Sequence, residues 1–61
     1  MNAKAQAIAD QIEIGTILAS LRPHATGTVT VSEITEKSVY FSNGKYTNKR
    51  SLHWYEIASA A

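Results

Sequence analysis

The sequence predicts an α+β fold: an N-terminal helix packed on a small, bent antiparallel β-meander, followed by a short C-terminal helical turn. Three observations carry this expectation. Apolar residues recur at helical spacing near the N-terminus, a run of β-branched residues follows a Pro/Gly loop, and an Asn-Gly dipeptide separates two strand-like segments.

The helix comes first. Ala5, Ile8, Ala9 and Ile12 fall at i, i+3, i+4 and i+7, one apolar stripe, with Gln6, Asp10 and Glu13 on the other side. Alanine, lysine and glutamine in the first turns are strong helix formers. Asn2 is placed to cap the N-terminus and Gly15 to end the helix, so the expected span is 3–14. The stripe is narrow and made of small side chains, which suits close packing on a sheet. The polar side is mildly acidic and lacks the lysines and arginines of a membrane-surface helix.

Thr16 to Leu21 has apolar residues on both faces and lies between Gly15 and Pro23, which favours a buried strand over a continued helix. Arg22 to Gly27 forms the connecting loop. Thr28 to Ile34 is the clearest strand, because Thr28, Val29, Thr30 and Val31 are all β-branched. Ile34 is out of phase with Val29 and Val31, which points to a bulge near Ser32-Glu33. Thr35 to Lys37 is a turn, and Ser38 to Ser42 is the next strand, with Val39 and Phe41 on one face and Tyr40 on the other.

Asn43-Gly44 suits a two-residue type I′ turn, in which both central positions have positive φ. That turn sets a register of Ser42 opposite Lys45, Phe41 opposite Tyr46 and Tyr40 opposite Thr47. It places Tyr46 with Phe41 on the Val39 face. From Ser51 onward two readings stand. Ser51 as a cap, with Leu52, Tyr55 and the Trp54–Ile57–Ala58 group, gives a helical segment over 51–59; an aromatic strand over 52–57 is the alternative. Either way Trp54 and Ile57 are expected to join the core. A short, strongly bent meander of this kind is the architecture of small SH3-like barrels; the likeness is one of architecture.

Composition limits function. The 61 residues allow one small domain, with a thin stability margin. Such domains lean on disulfides, metals or partner subunits. There is no cysteine, and the two histidines, His24 and His53, are far apart in sequence, so self-association or an idealised core is the expected support. The lack of cysteine fits a reducing, cytoplasmic setting. Acidic Asp10 and Glu13 interrupt the N-terminal apolar run, unlike a secretory signal, and nothing approaches the roughly 20 apolar residues that span a bilayer. No membrane partner is expected. The glycines are isolated, no serine–histidine–acid set is visible, and a chain this size has little volume for a cleft, so neither an enzyme nor a cofactor is expected.

Charge location says more than its total of +1. Residues 45–54 hold three of the six lysines and arginines together with His53, and no acid. Lysine and arginine meet phosphates, and aromatic faces stack on exposed bases. The expected function is therefore a non-catalytic binding module that contacts nucleic acid through Lys45, Asn48, Lys49, Arg50 and His53. In a flat strand Lys45 and Lys49 would project to one side and Arg50 to the other, so a single patch requires the strand to end near Asn48 or Lys49. Lysines on an edge strand also protect against aggregation, which is the structural alternative for the same residues. A second functional reading, from a different class, is a protein-binding accessory factor or inhibitor. It would use Thr28, Thr30, Tyr40 and Thr47 as a polar-aromatic surface.

Overall fold

The computed structural model describes residues 2–24 and 27–60. Residues 25 and 26 of the expected loop lie outside it. The order of elements is α1 (Ala3–Gln11), β1 (Ile17–Ser20), β2 (Thr28–Ile34), β3 (Ser38–Phe41), β4 (Tyr46–Asn48), a 3-10 helix (Lys49–Trp54) and β5 (Tyr55–Ser59). The α+β class holds. The strands form one antiparallel sheet in the order β4-β3-β2-β1-β5, with β4 and β5 at its two ends, so the sheet is not closed into a barrel.

Helix α1 forms for the reasons visible in its residues. Asn2 is extended, and its Oδ1 accepts hydrogen bonds from the backbone N–H of Lys4 (2.8 Å) and Ala5 (3.4 Å), which satisfies free donors of the first turn. The stripe Ala5, Ile8 and Ile12 is buried and Ala9 packs beside it. The helix stops three residues short of the expected end. Ile12 is already extended at its C-cap, and its side chain reaches the core from there. Gly15 does not cap the helix. It holds the third position, with φ +97°, of a turn that closes when the Thr16 N–H donates to the Glu13 carbonyl at 3.0 Å. Thr16 is buried, and its Oγ1 accepts from the Glu13 N–H, so the hydroxyl is satisfied where it lies.

β2 is the spine of the sheet. It pairs with β1 through Ile17–Thr30, Leu18–Val29 and Ala19–Thr28, and with β3 through Val31–Phe41, Glu33–Tyr40 and Ile34–Val39. The register shifts between Val31 and Glu33, the bulge that the phase of Ile34 predicts. Val31, Leu18, Val39, Phe41 and Leu52 meet Ala5, Ile8 and Ile12 in the core.

The β3–β4 hairpin departs from expectation. Among the described residues only glycines have positive φ; Gly44 has φ +85°, and Asn43 does not. The Gly44 N–H donates to the Phe41 carbonyl (3.1 Å) and the Phe41 N–H to the Lys45 carbonyl (2.8 Å). These bonds define a three-residue loop with glycine at its left-handed position, the type I turn with a bulge rather than type I′. The Asn43 Oδ1 accepts from the Lys45 N–H at 2.9 Å, a local side-chain turn that competes with the tighter one. The pairs are Tyr40–Tyr46, Val39–Thr47 and Ser38–Asn48. A slip of one residue reverses every side chain of a strand. Tyr46 therefore faces solvent, and Thr47 turns inward beside Val39.

The terminal segment combines the two readings: a 3-10 helix to Trp54, then a strand. Asn48, not Ser51, occupies the cap position. In β5, Tyr55 and Ile57 are half-buried while Glu56 and Ala58 are exposed, a period-two pattern paired with β1 through Ser20–Tyr55, Ala19–Glu56 and Leu18–Ile57. Trp54 does not join the core, and Ile57 joins it only in part; the buried residue here is Leu52. A 3-10 helix has three residues per turn, so Lys49 and Leu52 stack in one column and Ser51 and Trp54 in another. Leu52 reaches the core, and Tyr55, the first residue of β5, places its ring 5.8 Å from Phe41.

Candidate nucleic-acid interface

The chain turns sharply where β4 ends. Asn48 is the last strand residue and Lys49 the first of the 3-10 helix, which meets the condition for bringing Lys49 and Arg50 together. A backbone hydrogen bond from the Lys49 N–H to the Lys37 carbonyl (2.9 Å) pins this corner to the turn before β3. That turn is closed by its own hydrogen bonds: the Thr35 N–H donates to the Ser38 carbonyl (2.9 Å), and the Thr35 Oγ1 accepts from the Ser38 N–H (3.0 Å).

The result is a surface cleft of about 450 Å³ lined by Glu36, Lys37, Asn48, Lys49 and Arg50. Three cationic side chains and one carboxylate share it. Lys49 is half-buried and Arg50 exposed. The Asn48 side chain makes no capping hydrogen bond; its Oδ1 lies 3.4 Å from the Ser38 Oγ.

Two of the expected basic residues are elsewhere. Lys45 precedes β4 and lines a different depression with His24, Thr28, Asn43 and Tyr55. The His53 Nδ1 lies 3.2 Å from the Arg50 carbonyl, and its ring centroid lies 5.1 Å from that of Trp54, tilted by 39°. Trp54 is 43% exposed, with the Arg22 guanidinium 5.4 Å from its ring centroid. The Leu21 N–H donates to the Trp54 carbonyl at 2.8 Å, which fastens this aromatic-cationic corner to the end of β1.

Lys37 was not among the residues singled out from sequence. Its position was accessible, because any register of the Asn43-Gly44 hairpin brings the 35–37 turn back beside residues 48–50. The protein-binding set is not gathered on one surface. Thr47 is buried beside Val39, Thr28 and Thr30 lie on the half of β2 that pairs with β1, and Tyr40 lies beyond the bulge, opposite Glu33.

Among the described residues no helix is long and apolar enough to cross a membrane. In comparisons with family models, with curated proteins and with solved structures, nothing matches this chain.

Proposed function

We propose that the protein is a non-catalytic module that binds nucleic acid through the cleft at the β4 corner. The observation that carries this reading is the convergence of Lys37, Asn48, Lys49 and Arg50, from two separate chain segments, on one surface cleft. Lysine offers a point charge to a phosphate, arginine a planar fork of donors, and asparagine an amide that reaches a phosphate or a base edge. Glu36 limits how many phosphates the cleft accepts and sets where they sit. Lys45 and His53 fall outside this set and are assigned no phosphate contact.

Salt dependence tests the reading. Each phosphate neutralised releases counterions, so the double variant Lys49→Ala with Arg50→Ala should flatten the slope of log affinity against log salt by roughly 1.4–1.8 units. Thermal stability should change by no more than about 0.5 kcal/mol, as for surface changes generally. A titration at low salt with labelled DNA and RNA reads both affinity and slope. An unchanged slope in the folded double variant rejects the cleft as the binding site, and no binding by the parent protein rejects the function. In the latter case a protein partner becomes the leading reading, because Trp54 and Leu21 then form an exposed aromatic-apolar corner with Arg22 across the indole.

A further inference from the structure

The solvent face of the β3–β4 hairpin carries a feature that the cleft alone does not require. Tyr40 and Tyr46 are directly opposite each other on adjacent strands. Their rings lie 5.5 Å apart and only 30° from parallel. Tyr40 is 39% exposed and Tyr46 63%. Aromatic rings are energetically expensive to leave in water, and a cross-strand pair recovers only part of that loss. The next outward pair along the same strands is Ser38–Asn48, so Asn48 lies about 7 Å beyond Tyr46, two residues along β4. Asn48 in turn lines the basic cleft. An aromatic platform, an amide and a basic cleft therefore follow one another along a single edge of the sheet.

Resting on the reading of the cleft as a phosphate site, we infer that the ligand is single-stranded nucleic acid, with unstacked bases lying on the Tyr40–Tyr46 platform and the adjoining phosphates in the Lys37–Lys49–Arg50 cleft. A duplex keeps its base faces stacked inside the helix and offers nothing to the exposed faces of an aromatic pair, whereas a single strand exposes a π-face at every nucleotide. The charge arrangement fixes which side the backbone takes. Glu33 is paired with Tyr40 on β2 and exposed, so a carboxylate borders the platform on that side. The cations lie past the far end of β4, and β4 is an end strand of the sheet. Phosphates accordingly run along the β4 side, and the bases point inward over the tyrosines.

The experiment measures fluorescence anisotropy of labelled oligo-dT, oligo-rU and a mixed-sequence duplex of equal length, with the parent chain and with Tyr46→Ala, Tyr46→Leu and Tyr46→Phe. Tyr46 is exposed, so these chains should fold, and a thermal melt of each checks it. Losing one base–aromatic stack should weaken single-strand binding by about 5- to 150-fold. Tyr46→Phe should retain parental affinity, and Tyr46→Leu, which keeps apolar bulk without a π-face, should behave like Tyr46→Ala. Duplex affinity and the salt slope should be the same in all four. The relative affinity for oligo-dT and oligo-rU tells whether the strand is DNA or RNA. Salt-dependent binding that is equal for single and double strands and indifferent to Tyr46→Ala overturns the platform while leaving the basic cleft intact. Absence of binding to every oligonucleotide overturns both. If Tyr46→Ala fails to fold, Tyr46→Leu against Tyr46→Phe still decides, because these two differ in stacking and not in burial of a core residue.

Discussion

Leu52 and Trp54 stand two residues apart on the same 3-10 helix, yet Leu52 is fully buried in the cluster with Ala5, Ile8 and Val39, while Trp54 lies on the surface beside Arg22. The larger hydrophobe is the more exposed one. The difference teaches that hydrophobicity decides whether a segment packs, but helical period decides which of its residues does the packing. At three residues per turn Lys49 and Leu52 form one column, and Ser51 and Trp54 another. At 3.6 residues per turn Trp54 would have joined Ile57 and Ala58 instead. The same helix thus anchors the fold with one column and leaves Arg50 and Trp54 available on its other sides.

The comparison is broken most directly at Leu52. Leu52→Ala should cost about 2–5 kcal/mol, through lost burial and the cavity left behind. In a domain whose whole stability is expected near the low end of about 5–15 kcal/mol, that loss brings the chain close to unfolding. Urea denaturation of the variant measures it; a midpoint near that of the parent would mean that Leu52 is not the anchor.

The hairpin comes next. Gly44→Val places a β-branched side chain at φ +85°, which should cost roughly 1–3 kcal/mol. No atom lies within 4 Å of the position a Cβ would take, so the cost is backbone strain and not a clash. Gly44→Asn should therefore be milder, since asparagine tolerates the left-handed region. Equal melting temperatures for the two variants would contradict this.

Trp54→Ala is the smallest of the three. Partial burial and an exposed cation–π contact together should amount to about 1–2 kcal/mol, less than Leu52→Ala despite the larger side chain. Iodide should quench Trp54 fluorescence readily in the folded protein. Protection from iodide together with a loss matching that of Leu52→Ala would place the indole in the core and erase the contrast.

Several elements were legible in the residues because their causes are local. The α1 stripe, the Asn2 cap, the limits of β2 and its bulge all follow from side-chain period, capping chemistry and β-branching. Lys49 and Arg50 were legible as a candidate site because charge clustering survives any register. The choice between type I′ and the bulged type I turn was not legible, since Asn-Gly serves both, and the Asn43 hydrogen bond to Lys45 forms only in the loop that is adopted. From that one choice followed the positions of Tyr46 and Thr47.

By itself, then, the sequence determined where α1 starts, the limits of β2, which faces of α1 and β2 are apolar, and where positive charge concentrates, because each depends on neighbours within a few residues. Only the tertiary structure decided the one-residue register of β4, the three-residue period of the segment after it, and the meeting of Lys37 with Lys49. Those outcomes rest on which long-range contacts form together. Leu52 is buried against α1 while β5 pairs with β1, and the tight helix at 49–54 that joins them leaves Trp54 in water.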